Sequence, residues 1–432
     1  YFDQVAQAMQ LKGADNISTR ISQAVAEVLT NQGSEGGFGL WGPDQGDFWL
    51  DAYVTDFLSR ARAQGHAVPD LAFRAALDNL RNRVNYTADF DEGGEALAYA
   101  LMVLAREGAA AIGDLRYYAD VKADAFSTPI AQAQLGAALA NYGDQRRADA
   151  MFSRAGARIA AFKSYKDAQI YRTDYGSSRR DAAAVLTLAV ESGSNVLDRD
   201  ALAAALRPDG RSLSTQEATW TLLAANALID RPGTDGITLN GAAIQGPFVR
   251  VLKAGDPETV SVANGSGKTT TLTLTSYGVP DVPGPASGNG YAITRNYFTM
   301  DGAPMALTGG VKAGERMVVV LEVVPFGKAE ARLMVSDPLP AGFEIDNPNL
   351  LRGGDVGGQD WLDVQTDVAH SEFRQDRFLT AVDWSGNSKL RLAYVVRAVS
   401  PGSFHHPAAS VEDMYRPDYR AQTDAGRVVI AE

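Results

Sequence analysis

The chain has no cysteine and only four histidines in 432 residues. That excludes disulfides, thiolate metal sites and a cysteine nucleophile within it, and leaves few ligands for an imidazole metal centre. No stretch approaches the unbroken apolar length of a membrane span. Positive charge is short as well: 40 Lys and Arg face 52 Asp and Glu, a net charge of −12. Binding to nucleic acid or to an anionic membrane needs clustered cations, so neither is an expected partner. What is present, 45% hydrophobic and 21% charged residues, suffices for two or three domains with sizeable cores. Tyr1 opens in a run of helical character. The chain is therefore expected to begin inside a longer protein, with any signal peptide or lipid anchor out of view.

Residues 1 to about 230 read as helices almost without interruption, with apolar residues at three- and four-residue spacing. Thr128-Pro129 and Asp198 start helices, and Gly108, Gly143 and Gly193 follow helix ends. Two kinds of helix alternate. One is rich in Ala and Leu (51–58, 96–104, 131–139, 181–189, 216–228), and the other carries a charged face (73–83, 145–159). The alternation recurs at the roughly 35–50-residue period of helical-hairpin arrays. It predicts a closed α/α toroid with the small-residue helices inside.

After Arg231-Pro232-Gly233, Pro and Gly become frequent and short apolar runs alternate with polar residues. Runs at 237–239, 248–251, 259–262, 271–275, 291–298, 317–324, 332–335, 378–384, 390–399 and 426–430 predict antiparallel β-sandwich modules. The Pro-, Gly- and Ser-rich stretch from Gly278 to Gly290 reads as a linker. The expected divisions are 1–232, 233–289 and 290–432.

Several motifs suggest chemistry and are better explained as structure. Gly265-Ser266-Gly267-Lys268-Thr269-Thr270 lacks the first glycine of a phosphate loop, because Val262 stands there, and no helix follows; it reads as a hairpin turn. Asp89, Asp91 and Glu92 precede a helix, as in a cyclase motif, but carboxylates also suit the positive end of a helix. Asp44, Asp47 and Asp51 invite a glycosidase reading and equally fit a loop and helix start. His405 and His406 are adjacent on an extended segment, so their side chains diverge and one metal ligand is the maximum. No motif calls for a cofactor. In Gln32-Gly33-Ser34-Glu35-Gly36-Gly37-Phe38-Gly39-Leu40-Trp41-Gly42 the glycines admit close backbone approach while Phe38 and Trp41 plug the gap. Trp49 and Tyr53, one turn apart on the next helix, are expected to join that aromatic cluster.

The run Gln32–Trp41, followed by Phe48-Trp49-Leu50-Asp51-Ala52-Tyr53-Val54-Thr55-Asp56-Phe57-Leu58, closely resembles the thioester domain of bacterial α2-macroglobulins. Tyr1-Phe2-Asp3-Gln4-Val5 resembles the helix just downstream of that family's thioester motif. Asp376-Arg377-Phe378, Tyr394-Val395-Val396-Arg397-Ala398-Val399-Ser400-Pro401-Gly402-Ser403-Phe404 and Val411-Glu412-Asp413-Met414-Tyr415-Arg416-Pro417 are similar to its last macroglobulin-like domain. The resemblance covers essentially the whole chain. It implies a toroidal thioester-containing domain over 1–232, the returning half of a CUB-type β module over 233–289 and a terminal macroglobulin-like sandwich over 290–432. It also implies a periplasmic protease trap, anchored to the inner membrane as a lipoprotein. Target proteases and the upstream macroglobulin-like domains would be its partners. A protease cuts a bait region, and an exposed Cys–Gln thioester then acylates a protease lysine.

The chain departs from the family in having no Cys, so the thioester lies before Tyr1 or is missing. Even intact, such a reaction is one acylation rather than turnover. Met414 and Tyr415 match the family's side chains that shield the thioester from water, and the resemblance places them near Tyr1 and the cluster of Phe38, Trp41 and Trp49. The alternatives are an α/α-toroid enzyme of glycosidase or cyclase type, and a structural adhesion module of the cell envelope. The first needs carboxylates converging in one deep pocket; the second predicts further similar β modules and no bait.

Overall fold

The structure, a computed structural model, describes all residues except 10–15, 45, 163–171, 208–210, 230–233, 254–258, 277, 328, 347–360 and 363–367. It divides into two compact units, one of residues 1–209 and 216–274, the other of 210–215 and 275–432. The expected boundary at Arg231-Pro232-Gly233 lies outside the described residues.

The first unit carries eleven helices among the described residues: α1 (Phe2–Ala8), α2 (Ile17–Thr30), α3 (Phe48–Ala63), α4 (Asp70–Asn85), α5 (Glu95–Arg106), α6 (Ile112–Asp120), α7 (Pro129–Asn141), α8 (Gln145–Phe162), α9 (Ser178–Glu191), α10 (Arg199–Ala205) and α11 (Thr215–Ala227). The caps act as the sequence predicts. Thr128 accepts from Ala131 N–H at 3.3 Å and Asp198 from Ala201 N–H at 3.0 Å, and Gly108, Gly143 and Gly193 take left-handed backbone. Helices α5, α7 and α9 are buried on every side over most of their length. Their alanines let α5 pack on α3 and α7, and α7 on α9, while α4, α6, α8 and α10 cover the outside. The ring closes where Arg60 of α3 reaches Glu191 of α9, at 3.0 and 3.1 Å. At the other end of α9, Ser177 donates to Glu217 of α11 at 2.6 Å. Among the described residues of 1–229 only isolated bridges interrupt the helices. The closed toroid predicted from the sequence is the fold of this unit.

The segment after the ring is sparsely structured. Strands β1 (Ile237–Leu239), β2 (Ala242–Ala243) and β3 (Val262–Asn264) form a small sheet in the order β2-β1-β3. The strands expected at 248–251 and 271–275 are absent. A strand needs a neighbour to take its backbone groups, and none lies beside these runs among the described residues: Val251 is 74% and Leu274 89% exposed. The Gly265 turn is real, held by Asn264 Oδ1 accepting from Ser266 N–H at 3.0 Å, but no second strand or helix follows.

The second unit is a β-sandwich. Its strands are β4 (Ser287–Asn289), β5 (Tyr291–Phe298), β6 (Pro304–Met305), β7 (Val311–Lys312), β8 (Arg316–Pro325), β9 (Ala329–Pro338), β10 (Phe343–Ile345), β11 (His370–Phe373), β12 (Arg377–Gly386), β13 (Leu390–Ala398), β14 (Gly402–His406), β15 (Ser410–Asp413), β16 (Arg416–Gln422) and β17 (Gly426–Ala431). A five-stranded sheet, β10-β13-β8-β5-β6, faces a six-stranded one, β11-β12-β9-β15-β16-β4, and β14-β17-β7 forms a third. All pairs are antiparallel except β17 with β7. Alternating residues such as Met317, Val319 and Leu321 of β8 and Leu333 and Val335 of β9 fill the core. Ser287–Asn289, expected in the linker, pairs with β16 and belongs to this sandwich.

Candidate functional site

The first turn of the chain rests on a buried charge cluster. Tyr1 N-caps α1, and its ring lies 5.8 Å from the Arg60 guanidinium. Arg60 is held between Glu191 and Asp56, the latter at 3.1 Å. Asp56 also accepts from Tyr99 Oη at 2.9 Å and from Arg106. Burial alone would raise the Asp56 carboxyl, but the two guanidinium groups outweigh it and hold the group at about 2. Alongside, Ser59 donates to Glu107 at 2.5 Å. Asp56 of α3 and Glu191 of α9 thus fix the cation beneath Tyr1, with Tyr99 and Arg106 of α5 holding Asp56.

A second network lies at the opposite ends of the same inner helices. Arg180, fully buried, donates to Asp174 at 2.6 Å and Asp181 at 2.9 Å. Arg172 bridges the same two carboxylates at 2.6 and 2.9 Å. Burial opposes ionisation of Asp174, and its two arginines bring it down to about 2. Gly176 has no room for a side chain, since a Cβ there would meet Arg180 Nη2 at 1.7 Å. Tyr175, with φ +53°, turns its hydroxyl onto Asp47, the N-cap of α3.

The aromatic residues expected to form one cluster do not. Trp49 stacks on Tyr53 at 5.1 Å and meets Tyr99 and Tyr175 edge-on at 5.7 and 5.2 Å, inside the ring core. Phe38 belongs to a different core, with Val25, Leu58, Phe73 and Ala76. Trp41 is 37% exposed and part of neither. Trp49 also sits eleven residues before Arg60 on α3, about 16 Å along the axis, so it is at the far end of that helix from Tyr1. The separation follows from Asp51, which draws the glycine-rich loop across α3. Buried Asp51 accepts from Phe38 N–H at 2.7 Å, Asn79 at 2.9 Å and Arg83 at 2.9 Å. A Cβ on Gly36 would strike Ala75 O at 2.2 Å, at a φ of +86°. The loop is a joint between α3 and α4, as its glycines suggested.

Met414 and Tyr415 form the turn between β15 and β16. Both are half-buried, and neither is in the sandwich core. Asp413, 1% exposed, builds the turn. Its carboxylate accepts from Tyr415 N–H at 3.1 Å, Arg416 N–H at 3.3 Å and Arg416 Nε at 2.6 Å. Met414 N–H donates to Arg332 O at 2.9 Å, and Arg416 lies 5.1 Å from the Tyr419 ring. The two bulky side chains are therefore carried on a turn fixed from behind by a buried carboxylate.

The remaining motifs are accounted for locally. Asp89 and Asp91 pair with Lys122 at 2.8 and 3.6 Å on the surface. Asp47 caps α3 by accepting from Leu50 N–H at 2.7 Å, and Asp51 is spent on the loop. His405 is exposed and His406 buried, as divergent neighbours should be, with His406 Nε2 2.8 Å from Tyr297 Oη. No group of three metal-ligating side chains occurs among the described residues. Sequence reasoning missed both arginine–aspartate networks. The signal was there: Asp56 and Arg60, and Arg180 and Asp181, are opposite charges on helices read as the Ala- and Leu-rich inside of the ring.

Comparison with known proteins covers both units. The family described as the bacterial α2-macroglobulin MG10 domain matches residues 290–418. An α2-macroglobulin of Escherichia coli K12 is 31% identical over 98% of the chain, and one of Xylella fastidiosa Temecula1 29% over 95%. The chain spans about a quarter of the length of these curated relatives, 27% and 26%. The crystal structure of native E. coli α2-macroglobulin from domain MG7 to the C-terminus superposes with a TM-score of 0.80 at 28% identity, covering 99% of the chain and 70% of that structure. A Salmonella α2-macroglobulin reacted with methylamine superposes with a TM-score of 0.79 at 29% identity, covering 99% and 28%.

Proposed function

The chain belongs to the bacterial α2-macroglobulin family; from that premise we propose that it is the helical-ring and terminal-sandwich portion of a periplasmic protease-trapping inhibitor, anchored upstream to the inner membrane as a lipoprotein. The observation that carries the reading is that ring and sandwich match such relatives together and in order, over 99% of the chain. The segment from 233 to about 286, short of the strand Ser287–Asn289 that pairs within the sandwich, is then half of a CUB-type module completed by an upstream segment. Its apolar side chains, left in solvent at Val251, Leu272, Leu274 and Val279, support that assignment.

In this proposal a target protease cuts a bait region elsewhere in the longer protein, and the molecule rearranges around it. A protease lysine attacks the thioester: the C–S bond breaks, an amide C–N bond forms, and the amine proton passes to the departing thiolate. With no Cys here, that group lies upstream of Tyr1 or is missing, and capture is then by enclosure alone. Met414 and Tyr415 shield the reactive bond near Tyr1 until the sandwich moves, which excludes water and amines. Trp49 and Phe38 brace the ring. Mixing the longer protein with a protease and running a denaturing gel tests the mechanism. A high-mass adduct that methylamine pretreatment abolishes is expected. A protease that stays uncaptured and fully active on large protein substrates would sink the trap; enclosure without adduct would remove only its covalent step.

A further inference from the structure

Strand β5 has one side fully used and the other mostly open. Toward β8 it is paired from Tyr291, opposite Pro325, to Phe298, opposite Val318. Away from β8 only Tyr297 and Phe298 have a partner, the two-residue β6. The phase of the ladder identifies the groups left over. Phe326 N–H donates to Gly290 O at 3.0 Å on the β8 side, and Thr299 N–H to Ala303 O at 2.9 Å on the β6 side. In an antiparallel ladder consecutive residues alternate between the two sides. Even-numbered residues of β5 therefore face β8 with both backbone groups, and odd-numbered ones face away. Tyr297 meets Met305. Ile293 and Arg295 each direct an N–H and a C=O to an edge along which no strand lies among the described residues.

The chain itself stops short of this edge. After Met305 it leaves at Ala306 into a 3-10 turn at Leu307–Gly309, and the place a longer β6 would occupy is a groove of about 790 Å³. Six consecutive β5 residues, 293–298, line it. Side chains of a strand alternate between faces, so a hollow touching six in a row follows the backbone edge. The far wall carries Thr423, Asp424 and Arg427. Asp424 is occupied by Ala286 N–H at 2.7 Å. Arg427 reaches Ser403 Oγ at 3.1 Å and has no carboxylate partner among the described residues.

We propose that this groove receives an extended strand bearing an acidic side chain opposite Arg427, donated by another macroglobulin-like domain of the longer protein. Four backbone hydrogen bonds at Ile293 and Arg295 would continue the sheet where β6 ends. An uncovered edge of this kind is a pairing hazard that folded proteins cover, and relatives nearly four times as long supply domains to cover it. The donor rests on the proposed function; the open edge does not.

Residue-resolved amide hydrogen exchange, on this chain alone and on the longer protein, tests the proposal. In the chain alone, Ile293 and Arg295 should exchange about 100-fold faster than Thr294 and Asn296, whose amides face β8. In the longer protein all four should be slow. Arg427→Glu there should speed Ile293 and Arg295 about tenfold and leave Thr294 and Asn296 slow, which shows the sandwich intact. Fast exchange at Ile293 and Arg295 in both proteins overturns the proposal, as does slow exchange in the chain alone at every concentration. Protection of the chain alone that appears only at high concentration makes the occupant a second copy and also overturns it. A protected edge in a longer protein that captures no protease leaves this inference standing and removes the trap; capture with an unprotected edge does the reverse.

Discussion

Asp56 in the ring and Asp337 in the sandwich are both nearly inaccessible, at 4% and 1% exposure, yet they titrate in opposite senses. Burial is the largest influence on each. At Asp56 the guanidinium groups of Arg60 and Arg106 overcome it, and the carboxyl falls to about 2. Asp337 has only Arg295, at 2.6 Å, and the Tyr394 hydroxyl, at 2.7 Å, and its carboxyl stays above the ordinary value. A second arginine decides the sign. The difference follows from architecture. Sheets are already joined by backbone ladders, whereas helices meeting across a ring have only side chains, and Arg60 and Glu191 are 131 residues apart.

Removing the ring's carboxylate should have the largest effect. Asp56→Ala leaves Arg106 without its carboxylate and Arg60 with Glu191 alone, and should cost about 3 kcal/mol, read as a loss of helical signal at lower denaturant. A cost below about 1 kcal/mol would mean that water already reaches the cluster. In acid the same group acts late. Its folded pKa lies below the unfolded one, so its contribution is complete above the unfolded value near 3.9 and is lost only as pH falls from there toward 2.

The sandwich should yield to milder acid. Burial, with Arg295 and His405 nearby, pushes His406 down to about 3. For a base whose folded pKa is depressed, stability is complete above its unfolded pKa near 6.5 and declines as pH falls toward the folded one. Between pH 6.5 and 4.5 the sandwich should lose about 2 kcal/mol. Asp56 and Asp174 of the ring, held at about 2, stay ionised across that window. His406→Gln should flatten the slope; a slope that survives it would put the acid sensitivity elsewhere. Asp337, with a raised folded pKa, works the other way: stability falls as pH rises from its unfolded value through its folded one. Asp337→Asn should therefore cost about 1–2 kcal/mol at neutral pH, clearly less than Asp56→Asn. Equal costs would break the comparison between the two units.

The ring was readable because its signal is local. The Phe48–Ala63 helix, the capping residues and the alternation of small and charged helices all act within a few turns of chain. Long strands such as Tyr291–Phe298 were readable for the same reason. Strands β15 and β16 were not, because Ser410–Asp413 and Arg416–Gln422 lack an alternating apolar pattern and owe their state to neighbours in the sheet. The runs at 248–251 and 271–275 err the other way, having a strand pattern but no adjacent strand. The site followed the same rule. The family resemblance singled out Met414 and Tyr415, but their turn depends on the buried carboxylate of Asp413. Phe38 and Trp49 are close in sequence and separate in space because Asp51 pulls the loop between them across the helix.

The smallest expected change in stability belongs to the residues given the largest functional role. Met414 and Tyr415 lie outside the sandwich core, so Tyr415→Gly should cost about 1 kcal/mol or less, with Asp413 still holding the turn. Its consequence should appear in reactivity. In the longer protein, the rate of reaction with methylamine, followed by release of a free thiol, tests the shielding turn most directly. Tyr415→Gly should raise that rate at least about tenfold and Tyr415→Phe leave it near that of the parent, because the ring rather than the hydroxyl excludes water and amines. A Tyr415→Gly protein that releases thiol at the parental rate would contradict the account.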